Sequence, residues 1–412
     1  MGNPGITAMN RLDLLPKLFL LAATTLPLAF AACSAGPGGP RWRGKVHQDG
    51  AAVEVLNPRD PVFGTDAASA TVAWEIPPPP ADGGPGAWSK PASLALGAGE
   101  IYVLDPMAHT VHVLSRAGKP LRDVGRAGRG PGELGNTFGV ASVDGLLAVG
   151  NGGAGRVDLF AASGEPAGSV ALGTPAFTLA AVEPGGLLVW NARAEQRLYD
   201  VRGESQAIPL TPFTNAESVG SATCVRSAGA AERILQLDCT TPAFHIVARN
   251  GTRVRTVRVH RKPVLASAEE LGRYRSSLAA AIASDERMPS AQGRALLEDL
   301  TERQSPKRLM QGIQEDPSSG LYALWEQQPP ELGTGPARLH LFSSAGVFLA
   351  SVDFAEPWLD FKIDRLTVYA LTEDPETGLA GLSAYHLRLA PQVLAFAATV
   401  PGAAGRAAAA SR

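Results

Sequence analysis

Cysteine is nearly absent, with three in 412 residues: Cys33, Cys224 and Cys239. So few thiols exclude a dense disulfide scaffold, and no nearby Cys or His supplies the remaining ligands of a finger-like zinc site. Charge is also sparse. Charged residues make up 18%, with 37 basic against 39 acidic. No basic surplus speaks for nucleic acid, and no run of one sign speaks for a polyanion partner. The apolar run at 18–32 has 15 residues and contains Pro27, which is too short to span a bilayer comfortably. There is no HExxH, no GxSxG and no Cys/His nucleophile arrangement, so no familiar hydrolytic chemistry is signalled.

What is abundant is glycine (45) and proline (33), beside 45% hydrophobic residues. That mixture suits a turn-rich β protein with ample core material, and the length allows one large domain or two to three ordinary ones.

The N-terminus reads as a secretory signal over 1–32. Arg11 and Lys17 precede the apolar run "LFLLAATTLPLAFAA", and small residues close it before Cys33. "FAAC" is similar to a bacterial lipobox, with Phe30 in place of the usual leucine, which makes Cys33 the candidate lipidation site. Ordinary cleavage after Ala31 or Ala32 is the alternative. Ser34 follows, with no aspartate to favour inner-membrane retention, so a lipid-anchored protein of the outer membrane facing the periplasm is expected. Both Met1 and Met9 are possible starts. Residues 33–50, beginning "CSAGPGGPRWRGK", read as a flexible tether. In an oxidising compartment, Cys224 and Cys239 would meet across a hairpin turned by "SAGAAER". Closing so short a loop contributes about 3 kcal/mol in the chain-entropy model. Two buried free thiols are the alternative.

Internal repetition organises the rest. The segments "EIYVLD", "GLLAVGN", "GLLVWN", "RILQLDC", "GLYALWE" and "RLTVYAL" recur at about 40 to 48 residues, with one gap near 90. Each is followed by a second strand-like segment, and five of these end at a glycine: Gly118, Gly164, Gly203, Gly251 and Gly346. Hairpin tips demand the positive φ that glycine supplies. Four short strands per unit and six units predict an all-β, six-bladed β-propeller over 51–400. "ATVAWEI" or, instead, "QVLAFAATV" would lock the last blade to close the ring. The tail 401–412 has no apolar period and reads as disordered.

The long gap holds a small helical insertion between blades four and five, 267–305. Ser267 and Glu270 form a capping-box pattern, and a second helix is expected at 291–303, ended by Pro306. The insertion is either a lid or partner surface near the pore, or a cover for the propeller edge.

The stretch "SLALGAGEIYVLDPMAHTVHVLSRAGKPLRDVGRAGRGPGEL" resembles the bacterial six-bladed β-propeller lipoproteins related to NHL-repeat proteins. The resemblance implies a fold and a compartment, and no reaction. Its closing "GRAGRGPGEL" fits a relaxed phosphate-loop pattern, but Pro131 and Gly132 preclude a helix and no Lys-Ser pair follows. It reads as the connection from the first blade to the next.

Seven histidines are scattered: His47, His109, His112, His245, His260, His340 and His386. Four recur on third strands, as packed or solvated sheet positions. His109 sits in a loop near one mouth. Asp105, Asn151, Asn191 and Glu326 end second strands at equivalent phase. Such a ring could hold calcium through oxygen ligands, or its members could cap local turns. No catalytic, cofactor-binding or metal residue is assigned. The expected function is a monomeric binding or scaffold module for a protein, peptide or glycan of the cell envelope. The alternative is a metal-dependent periplasmic hydrolase, lactonase or lyase at the central channel.

Overall fold

The structure, a computed structural model, describes residues 41–78, 88–174, 176–191, 195–201, 203–209, 225–230, 232–283, 298, 307–328, 335–374 and 376–399. Six sheets, each with an antiparallel four-strand core, form the six blades of a β-propeller. Blade 1 runs Ser93–Leu96, Glu100–Asp105, Thr110–Ser115 and Pro120–Val124. Blade 2 runs Thr137–Val143, Leu146–Asn151, Arg156–Phe160 and Pro166–Ala171. Blade 3 runs Ala176–Val182, Gly186–Asn191, Gln196–Asp200 and Ser205–Ile208. Blade 4 runs Val225–Ala230, Arg233–Asp238, Ala243–Ala248 and Arg253–Val259, and blade 5 runs Met310–Glu315, Tyr322–Glu326, Arg338–Phe342 and Phe348–Asp353. Blade 6 has Trp358–Asp364, Thr367–Glu373 and Ala380–Leu389.

The second strands are buried almost throughout, because each is covered on both sheet faces by neighbouring blades. Their near-continuous apolar runs follow from that position. Between blades 4 and 5, Phe244, Tyr322, Phe342 and Phe348 pack into one core. Between blades 2 and 3 the core is mostly aliphatic, with Val143, Val157, Leu159, Leu187 and Val189. Each such side chain contributes about 1.5–3 kcal/mol on burial. The five hairpin-tip glycines all take left-handed backbone, with φ from +77° at Gly118 to +93° at Gly203. Gly229 serves another need: a Cβ there would strike the Ala181 carbonyl, so glycine lets the first strands of blades 3 and 4 approach.

Ring closure uses the N-terminal segment. β3 (Ala68–Ile76) is the outermost strand of blade 6, paired antiparallel from Ile76–Leu382 to Ala68–Leu389. The other candidate, "QVLAFAATV", lies instead in helix α2 (Pro391–Thr399), which buries Val393 and Phe396.

The segment does more than close the ring. β1 (Lys45–Asp49) and β2 (Ala52–Asn57) form a hairpin, and β2 adds to blade 4 in parallel with Arg253–Val259. The chain then crosses blade 5, where Val62 and Phe63 N–H donate to the carbonyls of Phe348 and Leu349, both at 3.0 Å. Residues 45–76 are therefore a belt over blades 4, 5 and 6. Asn57, 2% exposed, is its buckle. Its Oδ1 accepts from Trp42 Nε1 (3.0 Å) and Phe348 N–H (2.9 Å), and its Nδ2 donates to the Arg258 (3.2 Å) and Gly346 (2.9 Å) carbonyls. The flexible tether expected over 33–50 is corrected at its C-terminal end. Trp42 and residues 45–49 belong to the fold because the hairpin gives their backbone and the indole N–H partners.

The insertion begins as expected. In α1 (Ala268–Ala283), Ser267 N–H donates to Glu270 Oε2 at 2.8 Å and Glu270 N–H to Ser267 Oγ at 3.1 Å, a reciprocal capping box. Lys307 Nζ bonds Glu270 Oε1 at 2.6 Å, so the two ends of the insertion meet. The second helix expected at 291–303 lies outside the described residues apart from Glu298, as do Cys33, Cys224, the signal segment 1–32 and the tail 401–412. Cys239 is fully buried just after the second strand of blade 4. Among the described residues, no helix is long and apolar enough to cross a membrane.

Candidate functional site

The first strands of all six blades line a central channel. It holds a cavity of about 590 Å³. The alternation of strand direction gives the ring two unlike faces. First-to-second strand connections are tight, at 97–99, 144–145, 183–185 and 365–366, with one longer at 316–321. Connections leaving second and fourth strands emerge on the opposite face, and most are longer, including 125–136, 260–309 and 327–337.

The channel differs accordingly along its length. At the long-connection end, Ser93, Phe138, Thr178 and Gln311 sit in the first turns of their strands, and Trp190 is the penultimate residue of its second strand. Gly150 leaves the space that the Phe138 ring fills. Asp360 is a bridge here. It accepts from Leu94 N–H at 2.7 Å and holds Lys362 Nζ at 3.0 Å, tying blade 6 to blade 1. At the short-turn end, Arg116 donates to the Gly97 carbonyl at 2.8 Å, lies 3.5 Å from Asp364 and stacks 5.2 Å from the Tyr369 ring centroid. Glu183 is at this end as well. Burial, and then a hydrogen bond with Asp144, push its carboxyl above the ordinary range.

The second-strand ends that sequence singled out do not form a ring of channel ligands. Asp105, fully buried, accepts from the backbone N–H groups of Ser89, Lys90, Met107 and Ala108. Asn151 accepts from Gly135 N–H and donates to the Glu133 carbonyl and to Asp158 Oδ2. Glu326 is bidentate with Arg261 (2.6 and 2.7 Å) and bonds His340 Nε2 at 2.6 Å. Each works as a local cap or pair inside its own blade or beside it; the side chain of Asn191 lies outside what is described. Among the described residues, no group of three or more His, Cys, Asp or Glu converges on a point where a metal could bind.

Three of the third-strand histidines share one task. His112, His245 and His340 hydrogen-bond Asp123, Thr256 and Ser351 on the adjoining fourth strands, at 2.7, 2.9 and 2.9 Å. His386 pairs with Thr367 at 3.1 Å. His109, at φ +54°, bonds the Gly135 carbonyl and pins the first long connection. That connection is the glycine-rich stretch at 125–134. It folds about Glu133, which accepts from the backbone of Arg129 and Gly130 and pairs with the Arg126 side chain. Burial pushes the Asp105 carboxyl up, but the His112 imidazole, 3.9 Å away, and the backbone N–H groups of Ala108, Lys90 and Ser89 outweigh it and hold it at about 2. Glu326 is likewise pushed up by burial and held at about 2 by His340 and Arg261.

The fold has relatives among solved structures. A member of the DUF4221 family from Bacteroides vulgatus superposes with a TM-score of 0.52 at 10% identity, over 79% of this chain and 100% of that one. A Bacteroides fragilis protein designated as exported gives 0.48 at 10% identity, over 82% and 99%. Virginiamycin B lyase from Staphylococcus aureus gives 0.41 at 10% identity, over 73% and 82%. At such identity the likeness is one of fold. No protein-family model matches the chain, nor does any curated protein.

The repeats mark the inner strands but not Phe138 and Trp190, the aromatic side chains that line the channel. Trp190 had a signal: it interrupts the aliphatic run of "GLLVWN" one residue before the strand ends. Phe138 carried only a faint one, as a lone aromatic among the small residues of "FGVAS".

Proposed function

We propose that the protein is an exported, lipid-anchored propeller module that holds a cell-envelope ligand at the long-connection mouth of its channel. One observation carries the reading: a cavity of about 590 Å³ to which all six blades contribute, with the aromatic side chains of Phe138 and Trp190 at its long-connection end. A rigid ring that gathers loops from separate blades is a natural binding platform. The address rests on the basic residues Arg11 and Lys17, the apolar run after them and Cys33. The relation to NHL-repeat lipoproteins belongs to the same reading, as does the disulfide between Cys224 and Cys239.

The address and the binding role are tested separately. Cys33→Ser is expected to move the protein from the membrane to the soluble fraction; unchanged fractionation would refute the anchor. For binding, the intact protein is crosslinked in its native envelope and compared with Trp190→Ala. Capture of one envelope component, lost in the variant, is the expected result. Identical capture by both proteins would remove the channel mouth from the reading. Mass measurement with and without reductant checks the Cys224–Cys239 bridge.

A further inference from the structure

We infer that the channel takes an uncharged, polyhydroxylated ligand, a short saccharide segment, seated against Trp190 at the long-connection end. This rests on the proposed binding role and names its ligand class. The first support is how the charge in the channel is spent. Six charged side chains line it: Arg116, Glu183, Glu315, Asp360, Lys362 and Asp364. Lys362 is neutralised by Asp360, and Arg116 lies 3.5 Å from Asp364. Glu183 shares a hydrogen bond with Asp144, and Glu315 too has a protein partner. An ionic ligand would have to compete with these contacts for its own counter-charge.

The second support is what remains available. Thr178, Ser93 and Gln311 line the cavity at the long-connection end with neutral polar groups. Trp190 and Phe138 add aromatic surface beside them, and Trp190 is only partly buried. Sugar rings present apolar C–H faces and hydroxyl edges. An aromatic plane next to hydroxyl and amide groups complements both, whereas a purely apolar ligand would strand the polar lining. The third support is size. Well-formed small-ligand pockets span about 300–1,000 Å³, and the cavity falls within that range at about 590 Å³, room for a few sugar rings.

The test uses the full-length protein and three neutral trisaccharides, namely maltotriose, cellotriose and N,N′,N″-triacetylchitotriose, with trilysine and trialanine alongside. Binding is read by calorimetry and by intrinsic tryptophan fluorescence. At least one trisaccharide is expected to bind, with affinity falling about tenfold or more in Trp190→Ala and held within about threefold in Trp190→Phe. Val72→Ala, on the outer strand of blade 6, should leave affinity unchanged and serves as the folding control. The inference is overturned if none of the trisaccharides binds, if trilysine or trialanine binds in their place, or if Trp190→Ala binds as well as the parent. Envelope crosslinking that still depends on Trp190 in any of those cases would leave the channel-mouth reading standing and remove only the saccharide.

Discussion

The two halves of the ring are built differently. Blades 4, 5 and 6 are wrapped by the belt of residues 45–76 and cored by aromatics. Trp325, Trp358, Phe361, Phe354 and Tyr385 form a continuous cluster with centroid spacings from 4.4 to 6.2 Å. Among the described residues, blades 1, 2 and 3 have no belt, and their cores are mainly aliphatic. They also carry short polar staples such as Asn151–Asp158. The long-connection end of the channel draws on both halves: Trp190, Phe138 and Thr178 come from the unbelted half, and Gln311 and Asp360 from the belted half. A belted wall thus faces an unbelted one, and the contrast teaches that ring closure is carried by blades 4 to 6 while the channel is lined by all six.

The largest expected effect tests the aromatic core. Trp358→Ala should cost about 4 kcal/mol in denaturant unfolding, while Val140→Ala, between blades 1 and 2, should cost about 2 kcal/mol. Equal losses would erase the contrast.

Acid titration comes next. Glu326 has a folded pKa of about 2, below its unfolded value near 4.5, so its stabilisation is complete above about pH 4.5 and fades as pH falls toward 2. Fully expressed, the shift corresponds to about 3 kcal/mol. Glu326→Gln should therefore lose most at pH 6 and least at pH 2. Asp105 gives the matching test in the unbelted half, again with a folded pKa of about 2. His112 beside it works in the opposite sense. Burial pushes its pKa down, but Asp105 and Asp123 outweigh this and raise it, so its contribution is present at low pH and lost as pH rises past its folded value. A pH-independent cost for Glu326→Gln would contradict the ion-pair account.

Asn57→Ala should cost about 2 kcal/mol by leaving buried belt groups without partners. Hydrogen exchange should quicken at Val62 and Phe348, on two different elements. Asn151→Ala should quicken exchange only around blade 2. Exchange confined to β2 in the first variant would show that Asn57 is not a buckle.

The smallest effects come from two glycines of nearly equal φ. Gly203→Ala, at +93° with open space around it, should cost about 1 kcal/mol. Gly346→Ala, at +87°, would place Cβ 2.5 Å from Val257 and should cost about twice as much. Thermal unfolding of the pair ranks them.

Much of this plan was legible in the sequence. The repeats with their glycine tips announced the blades because a hairpin tip has a local backbone requirement, and Ser267 with Glu270 announced the start of α1 because a capping box is local too. The belt was not legible. β1 and β2 pair with blade 4 across about 200 residues, as in Arg253–Asp49 and Arg258–Glu54, and no local pattern encodes such a partner. "QVLAFAATV" was ambiguous because a short apolar run fits strand or helix alike, and Pro391 at the first helical position decides it. The acids at the second-strand ends shared a phase, but phase alone does not reveal that backbone N–H groups already claim them.

The channel mouth is tested most directly by placing a photocrosslinking residue at position 177 or position 183 and activating it in the native envelope. Phe177, 62% exposed, stands beside Thr178 at the long-connection end, and Glu183 stands at the short-turn end. Capture from 177 and none from 183 is the expected result. Capture from 183 alone, or equally from both, would contradict a ligand held at the long-connection mouth.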